Sequence, residues 1–395
     1  MESGQVVISK RGVDRVRRGH LWVYRSDVVK KKDVQPGAIV AVRDEHGAVL
    51  GKAFFSSKSQ ISIRLLTRGD VAAVPAGPIN EQFFFTRFAA ADQLRERLNI
   101  DPLLSRRIYA EGDLLPGLIV DRYGDRLVVQ NLIQAADRLQ PLVTRILMER
   151  YRPRSILFRN DSRVRELEGL DLKQETVGEA VPDTVIVQED DKAIGISLAG
   201  GQKTGSYLDQ RENHRAARRY AHGRALDAFS YAGGFATQIA ERCEQVESVD
   251  ISSKAVEMAR SNAERNGLKN IDCIEANAFD FMRDRHKEGR RYDTIILDPP
   301  AFAKNKESLE DALRGYKEIN NRAMRLLRSG GILITCSCSH HLSEGLFAEM
   351  LADAARDAGC WARVLERRTQ ASDHPILLAM PETLYLKCFI LEIIY

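Results

Sequence analysis

The stretch Ala225-Leu-Asp-Ala-Phe-Ser-Tyr-Ala-Gly-Gly-Phe235 decides the fold of this chain. It starts as a short apolar run of strand length, breaks at two adjacent glycines and passes into a helical pattern. Gly233 and Gly234 carry no Cβ, so the backbone there can approach a ligand closely just before a helix begins. Outward from this point the pattern repeats. Strands are predicted at 225–229, 246–249, 271–274, 294–297 and 331–335, with helices between them and final strands at 362–366 and 385–394. One of the helices ends at Asn266-Gly267, where glycine suits a left-handed cap. Strand–helix alternation of this kind gives an α/β fold with a doubly wound parallel sheet.

Open α/β sheets bind ligands outside the carboxyl ends of their strands, and here those ends carry informative residues. The glycine pair follows the first. Asp250 ends the second, about twenty residues on, where a carboxylate can accept hydrogen bonds from both hydroxyls of a ribose. Asn277-Ala278-Phe279 follows the third, placed to flank an adenine ring. Together these indicate a cofactor that carries adenosine. A dinucleotide stays open on this evidence, although the glycines do not follow Gly-x-Gly-x-x-Gly and no Walker loop is present.

The fourth strand runs into Asp298-Pro299-Pro300-Ala-Phe302. Two prolines stop a strand and present rigid backbone. Asp298 and that backbone can bond the amino group and ring nitrogen of a nucleic-acid base, and Phe302 can stack on it. The fifth strand ends in Thr335-Cys336-Ser337-Cys338-Ser339. Carbon C5 of a pyrimidine is a poor nucleophile until a thiolate adds to C6, so a partly exposed cysteine here suits covalent catalysis on an extruded base. Alternation along a strand puts Cys336 and Cys338 on the same side, and periodicity does not choose between them.

The rest of the chain reads differently. Residues 1–72 look like short strands at 39–42, 49–55 and 61–66 separated by turns, with a basic helix near 13–18. Val74-Pro-Ala-Gly77 reads as a linker. Residues 78–185 are α+β: a helix at 82–98, a β-hairpin over 118–130 turning at Gly124-Asp125, a helix at 136–151 and a strand at 155–158. The third segment spans 190–395. The 395 residues carry a net charge of +4, which decides little, but its distribution is uneven. The first 35 residues hold nine Lys or Arg against four acids, and Arg211, Arg215, Arg218 and Arg219 form a second cluster. Such patches suit a polyanion, and Arg18, with Trp22 beside His20 and Tyr24, is placed to touch one. No run reaches the ~20 apolar residues needed to span a bilayer. Lys10, Arg11, Arg15, Arg17 and Arg18 interrupt any leader-like run, so a cytoplasmic location is expected. All six cysteines follow residue 242. The Cys-x-Cys lacks a second ligand pair at zinc spacing, so no metal is expected.

At this point the residues resemble a known family, the bacterial 23S ribosomal RNA large-subunit methyltransferase I enzymes, which form 5-methylcytosine. The resemblance runs nearly end to end. It includes His20-Leu-Trp-Val-Tyr24, Gly112-Asp-Leu-Leu-Pro-Gly-Leu-Ile-Val-Asp121, Lys203-Thr-Gly-Ser-Tyr-Leu-Asp-Gln-Arg211, Phe229-Ser-Tyr-Ala-Gly-Gly-Phe235, Asp298-Pro-Pro-Ala-Phe302, Gly315-Tyr-Lys317 and Ser337-Cys-Ser339. It implies a PUA-like RNA-binding domain at the N-terminus, an α+β middle domain and a Rossmann-like class I methyltransferase domain. It also implies S-adenosylmethionine as cofactor and 23S ribosomal RNA, or a large-subunit assembly intermediate, as partner. Lys203, Tyr207, Gln210, Phe229, Gly233, Gly234, Asp250, Asn277, Ala278 and Asp298 would then hold the cofactor. Pro299, Pro300, Phe302, Arg18 and Trp22 would touch RNA, and Asp298 and Cys338 would carry the chemistry. Alignment to the wider RNA 5-methylcytosine group from Gly330-Gly331 also selects Cys338 and leaves Cys336 as packing.

Two features depart from these patterns. Ala301 stands where the wider group has a second cysteine, and Phe229 and Tyr231 occupy places where glycines often sit. Rival readings are a guanine or adenine N-methyltransferase, which needs no cysteine, and a non-catalytic RNA-binding assembly factor. A uracil-C5 enzyme usually follows its cysteine with Asn-Pro, whereas Ser339-His340 stands here.

Overall fold

The computed structural model describes residues 2–69, 78–201, 204–302 and 309–395. The expected linker at 74–77 and the cofactor candidate Lys203 lie outside the described residues. Two compact units form. The first comprises Met1–Val185, Ser197–Ser206 and Ser372–Thr383; the second comprises Ile186–Ile196, Tyr207–Ala371 and Leu384–Tyr395. The first two expected segments therefore share one unit, which also takes in two stretches of the expected third.

The first unit holds two sheets. A six-stranded sheet has the order Trp22–Tyr24, Ile61–Leu65, Val49–Phe55, Ile39–Arg43, Glu2–Ile8 and Val28–Lys32. Only three of these strands are predicted from sequence. Trp22–Tyr24 is three residues long, and Val28–Lys32 is an exposed edge strand ending in three lysines. Lysines blunt an edge but also erase the apolar alternation that marks a strand. The second sheet has the order Lys173–Gly178, Ser155–Asn160, Arg126–Asn131, Leu118–Tyr123 and Leu104–Tyr109. The hairpin turns where expected, with Tyr123 opposite Arg126 and Gly124 at φ 65°. Helices Glu81–Arg97 and Gln140–Tyr151 bury Phe84, Phe88, Ile146 and Leu147 against Ile108, Val120, Val129 and Phe158. The single helix expected at 136–151 is two, Gln134–Arg138 and Gln140–Tyr151. Pro141 lacks an N–H and starts the second, as proline does in a first turn.

The second unit is a seven-stranded sheet: β1 (Gly223–Ala228), β2 (Cys243–Asp250), β3 (Ile271–Glu275), β4 (Tyr292–Leu297), β5 (Leu327–Ser337), β6 (Trp361–Arg368) and β7 (Lys387–Ile394). Its order is β3-β2-β1-β4-β5-β7-β6. The first five strands are parallel, and β7 runs antiparallel to both β5 and β6. The helices are α1 (Arg211–Tyr220), α2 (Gly234–Ile239), α3 (Ser253–Arg265), α4 (Ala278–Lys287), α5 (Leu309–Leu326) and α6 (Glu344–Ala358). Alternate residues of each strand enter opposite cores. Leu226, Ile295, Leu297, Leu333 and Leu391 pack on α5 and α6, whereas Ala225, Ile296, Ile334, Cys336 and Ile390 pack on α1 and α2. Both faces are covered, which is why the strands read as continuous apolar runs. Gly267 takes the left-handed cap after α3, at φ 66°. A hairpin of Val185–Glu189 and Lys192–Ile196, absent from the sequence prediction, precedes this sheet. Asn262 and Asn266 of α3 hold its second strand by accepting from the N–H groups of Gly195 and Ala193 at 2.7 and 2.8 Å.

Candidate active site

The order of the strands reverses between β1 and β4, and this switch point is where ligands enter such sheets. The loop leaving β1 is strained. Phe229 and Tyr231 lie at φ 67° and 47°, in the left-handed region, and Gly233 at φ 76°. Glycine would adopt this path without penalty; each non-glycine residue costs about 1–2 kcal/mol. Two carboxylates hold the loop against that strain. Asp250, half-buried at the end of β2, accepts from the Tyr231 N–H and the Ser252 N–H, both at 2.9 Å. Asp227 in β1 accepts from the Ala236 N–H at 2.9 Å, inside the first turn of α2. Burial pushes the Asp227 carboxyl up to about 7. Asp227 lies inside the stretch 225–235, and nothing in the sequence alone marks it as a support of the loop.

The two glycines of the pair serve different needs. Gly233 supplies the positive φ. A Cβ on Gly234 would stand 2.7 Å from Cε1 of His214, so glycine there admits the ring of a buried histidine from α1. Glu189 anchors that ring through Nδ1 at 2.6 Å.

Around the loop the other cofactor candidates gather. The Tyr207 ring stands edge-on to Tyr231, centroids 5.2 Å apart. Its phenol is pushed up by burial first and then by the Asp298 carboxylate. Gln210 is buried and accepts from the Asn213 amide at 2.7 Å. Asn277 caps α4 by accepting from the Phe279 and Asp280 N–H groups, with Ala278 buried behind it. Phe229 meets Phe279 edge-on at 6.1 Å.

On the other side of the switch point, the Asp298 N–H faces the Ala228 carbonyl at 3.5 Å. Asp298 is half-buried, Pro299 buried and Pro300 exposed. Phe302 is half-buried and leans on Tyr316 of α5 at 4.6 Å, with Phe279 on its other flank at 6.1 Å. Its ring thus helps to close the core as well as to border the site.

Cys338 is half-buried one residue beyond β5, between two fully buried serines. The hydroxyl of Tyr316 joins them: Ser337 donates to it at 3.0 Å, and it lies 3.1 Å from the Ser339 hydroxyl. Lys387, at the start of β7 and opposite Ser337 in register, donates to the Ser339 carbonyl at 2.7 Å. Tyr316 stands in the quoted Gly315-Tyr-Lys317 motif, which by itself assigns it no role, and Lys387 is not legible as a site residue because it lies far along the chain from Cys338. Cys336 is fully buried beside Cys388 on the opposite strand, and that thiol together with burial pushes its own well up. Cys336→Ala is therefore expected to keep full activity and to lose about 1–2 kcal/mol in a denaturant titration.

The remaining candidates lie in the first unit. Arg18 is exposed at the end of helix Lys10–Arg17, but Arg11 and Arg15 pair with the buried Asp27. The Trp22 indole donates to Glu111 at 2.8 Å and its ring is half-buried. The second basic cluster is largely neutralised: Arg215 pairs with Asp190, Arg218 with Asp191 and Glu241, and Arg219 with Glu366. That face is a surface ion-pair network.

Family models agree with this geometry. One described as a PUA-like domain matches residues 6–68, and one described as a methyltransferase domain matches residues 220–378. The chain is a methyltransferase-fold protein joined to a PUA-like module. It belongs to the ribosomal RNA large subunit methyltransferase I family. It is 39% identical over 395 residues to the Cronobacter sakazakii member, covering 98% of each chain. It is 40% identical over 385 residues to the Photobacterium profundum member, covering 95% of each. Among solved structures, a protein described as a methyltransferase complexed with SAH superposes at TM-score 0.84 and 19% identity, over 98% of this chain and 99% of that one. A Streptococcus mutans protein described as a SAM-dependent methyltransferase superposes at 0.82 and 18% identity, over 98% and 99%. These two establish the fold.

Proposed function

We propose that this chain methylates C5 of a cytosine in large-subunit ribosomal RNA, using S-adenosylmethionine and a covalent adduct between Cys338 and C6. The observation that carries the reading is a half-buried cysteine just past β5, on the sheet edge where the adjacent parallel strand β4 runs into Asp298. Family membership over the full chain supports the RNA substrate, which goes with a cytoplasmic site of action.

The residues present fit the cofactor. Each Asp250 oxygen accepts one backbone N–H and keeps a lone pair for a ribose hydroxyl. The strained loop 229–233 leaves backbone facing the methionine part, Asn277 and Ala278 border the adenine, and Tyr207 and Gln210 close the other side. When bound, S-adenosylmethionine supplies an electrophilic methyl group. Asp298 and the backbone of Pro299 hold the amino edge of a cytosine turned out of its helix. The Cys338 thiolate adds to C6, which loads electron density onto C5, and C5 takes the methyl group. Loss of the C5 proton to a base then expels the thiolate and restores the ring. Residues 1–72, with Arg18 exposed and Lys30 to Lys32 along an edge strand, would bring the RNA to the protein.

The test is product identity. The protein is incubated with labelled S-adenosylmethionine and protein-free large-subunit RNA, and the RNA is digested to nucleosides. Label is expected in 5-methylcytidine; label in a methylated guanosine or adenosine would sink the reading.

A further inference from the structure

Lys387 is an unusual residue to bury. It is only 4% exposed and carries no carboxylate partner among the described residues; its Nζ donates to two carbonyls, Ser339 at 2.7 Å and Tyr385 at 2.8 Å. A buried ammonium that binds carbonyls alone forgoes the compensation an ion pair would give. The cost is large for a residue whose only task were to tie a loop, because a neutral side chain could donate there too.

The groups around Cys338 suggest what the charge is for. Asp298 directly follows β4, the parallel neighbour of β5, with Leu297 opposite Thr335 in register, and Tyr207 lies in the segment before α1. Tyr316 comes from α5, with its hydroxyl on both flanking serines. His340 lies next along the loop, its ring stacked on Tyr385 at 5.3 Å. A carboxylate beside a thiol, in a half-buried setting, opposes formation of the thiolate. Lys387 is the ammonium fixed on the same S-C-S bridge, across the β5–β7 ladder where Ser337 and Lys387 face each other.

We propose that Lys387 is the positioning residue that holds Cys338 as a thiolate: its ammonium, clamped to the carbonyl of the adjoining Ser339, supplies the compensating positive charge. This rests on Cys338 being the nucleophile. Burial pushes the Lys387 ammonium down to about 8 while the Cys338 charge opposes that shift, so lysine and thiolate sustain each other near neutral pH. Proton balance is simple: the thiol proton leaves to solvent, and the ammonium keeps its own.

The experiment needs neither RNA nor cofactor. The rate of iodoacetamide alkylation at Cys338 is measured by peptide mass spectrometry between pH 5.5 and 10, for the full-length protein, Lys387→Gln, Lys387→Met and Lys387→Arg. Gln keeps amide donors for the carbonyls and loses the charge; Arg keeps the charge. The wild type is expected to show an inflection below the ordinary thiol range of about 8.5. Gln and Met should move it up by about one unit, an approximately tenfold lower rate at pH 7, and Arg should keep it low. A purely structural role would change the rate at every pH without moving the inflection, and that result overturns the proposal. Should Gln and Met not fold, the wild-type and Arg profiles decide: ordinary inflections in both overturn it. Persistence of 5-methylcytidine formation in Cys338→Ala would instead remove the nucleophile itself, a different failure from an unshifted inflection.

Discussion

Cys338→Ala is expected to abolish methyl transfer, by roughly 10⁴-fold or more in kcat, while leaving cofactor affinity unchanged. Without addition at C6, C5 of cytosine carries too little electron density to attack a methyl group, and among the described residues no neighbour in the site can replace the thiolate. Tyr316 hydroxyl is engaged by both serines, and the Tyr207 phenol is held protonated by burial and by Asp298. Cys336 cannot step in, being fully buried beside Cys388 in the core against which Cys338 packs. The change should also be benign for the fold: Cys338 is half-buried, and the Ser337–Tyr316–Ser339 bridge does not involve its side chain. Calorimetric titration with S-adenosylhomocysteine alongside a methyl-transfer assay separates the two effects. Substantial activity in the variant would point to an N-methyltransferase, which uses Asp-Pro-Pro but no thiol. Loss of cofactor binding along with activity would mean that Cys338 shapes the cofactor site.

The parallel sheet was readable from sequence because its strands are buried on both faces and end in turn residues, so apolar runs and punctuation coincide. The same rule fails where burial is not apolar. Leu104–Tyr109 carries Arg106 and Arg107, whose charges are buried against Asp121 and Asp92. Lys173–Gly178 is exposed at every residue and is a strand only because Ser155–Asn160 pairs with it. A periodicity test sees neither. Within the site, residues at strand ends were legible, since the topology alone places Asp250, Asp298 and Cys338 on one edge. The supports were not. Asp227, His214, Tyr316 and Lys387 act through contacts between elements distant in sequence. The antiparallel β7 that delivers Lys387 was expected as a strand but not as the neighbour of β5. Phe229 and Tyr231 look like departures from a glycine-rich loop, yet the backbone keeps the glycine conformation and Asp250 pins it there.

That pinning makes Asp250 the residue on which cofactor affinity should depend most. In Asp250→Ala two ribose bonds to a carboxylate disappear, each worth about 1.5–3 kcal/mol as a bond to a charged acceptor. The Tyr231 N–H also loses its acceptor, which frees a residue held at φ 47° to relax away from the left-handed region. Loop relaxation then disorders the backbone that should face the methionine part. The dissociation constant for S-adenosylmethionine is expected to rise by ~10²-fold or more, near 3 kcal/mol. Asp250→Asn should fall between, because its one carbonyl oxygen can still accept from Tyr231 or from a hydroxyl but not carry the charge. Stability should drop by only about 1 kcal/mol, since Asp250 is half-buried at a strand end and water can solvate the released Ser252 N–H. Titration calorimetry and thermal melting of the same preparations report the two quantities separately. An affinity within about threefold of wild type would place the ribose elsewhere on the sheet edge. A melting-point collapse in both variants would show that the carboxylate serves the fold before it serves the ligand.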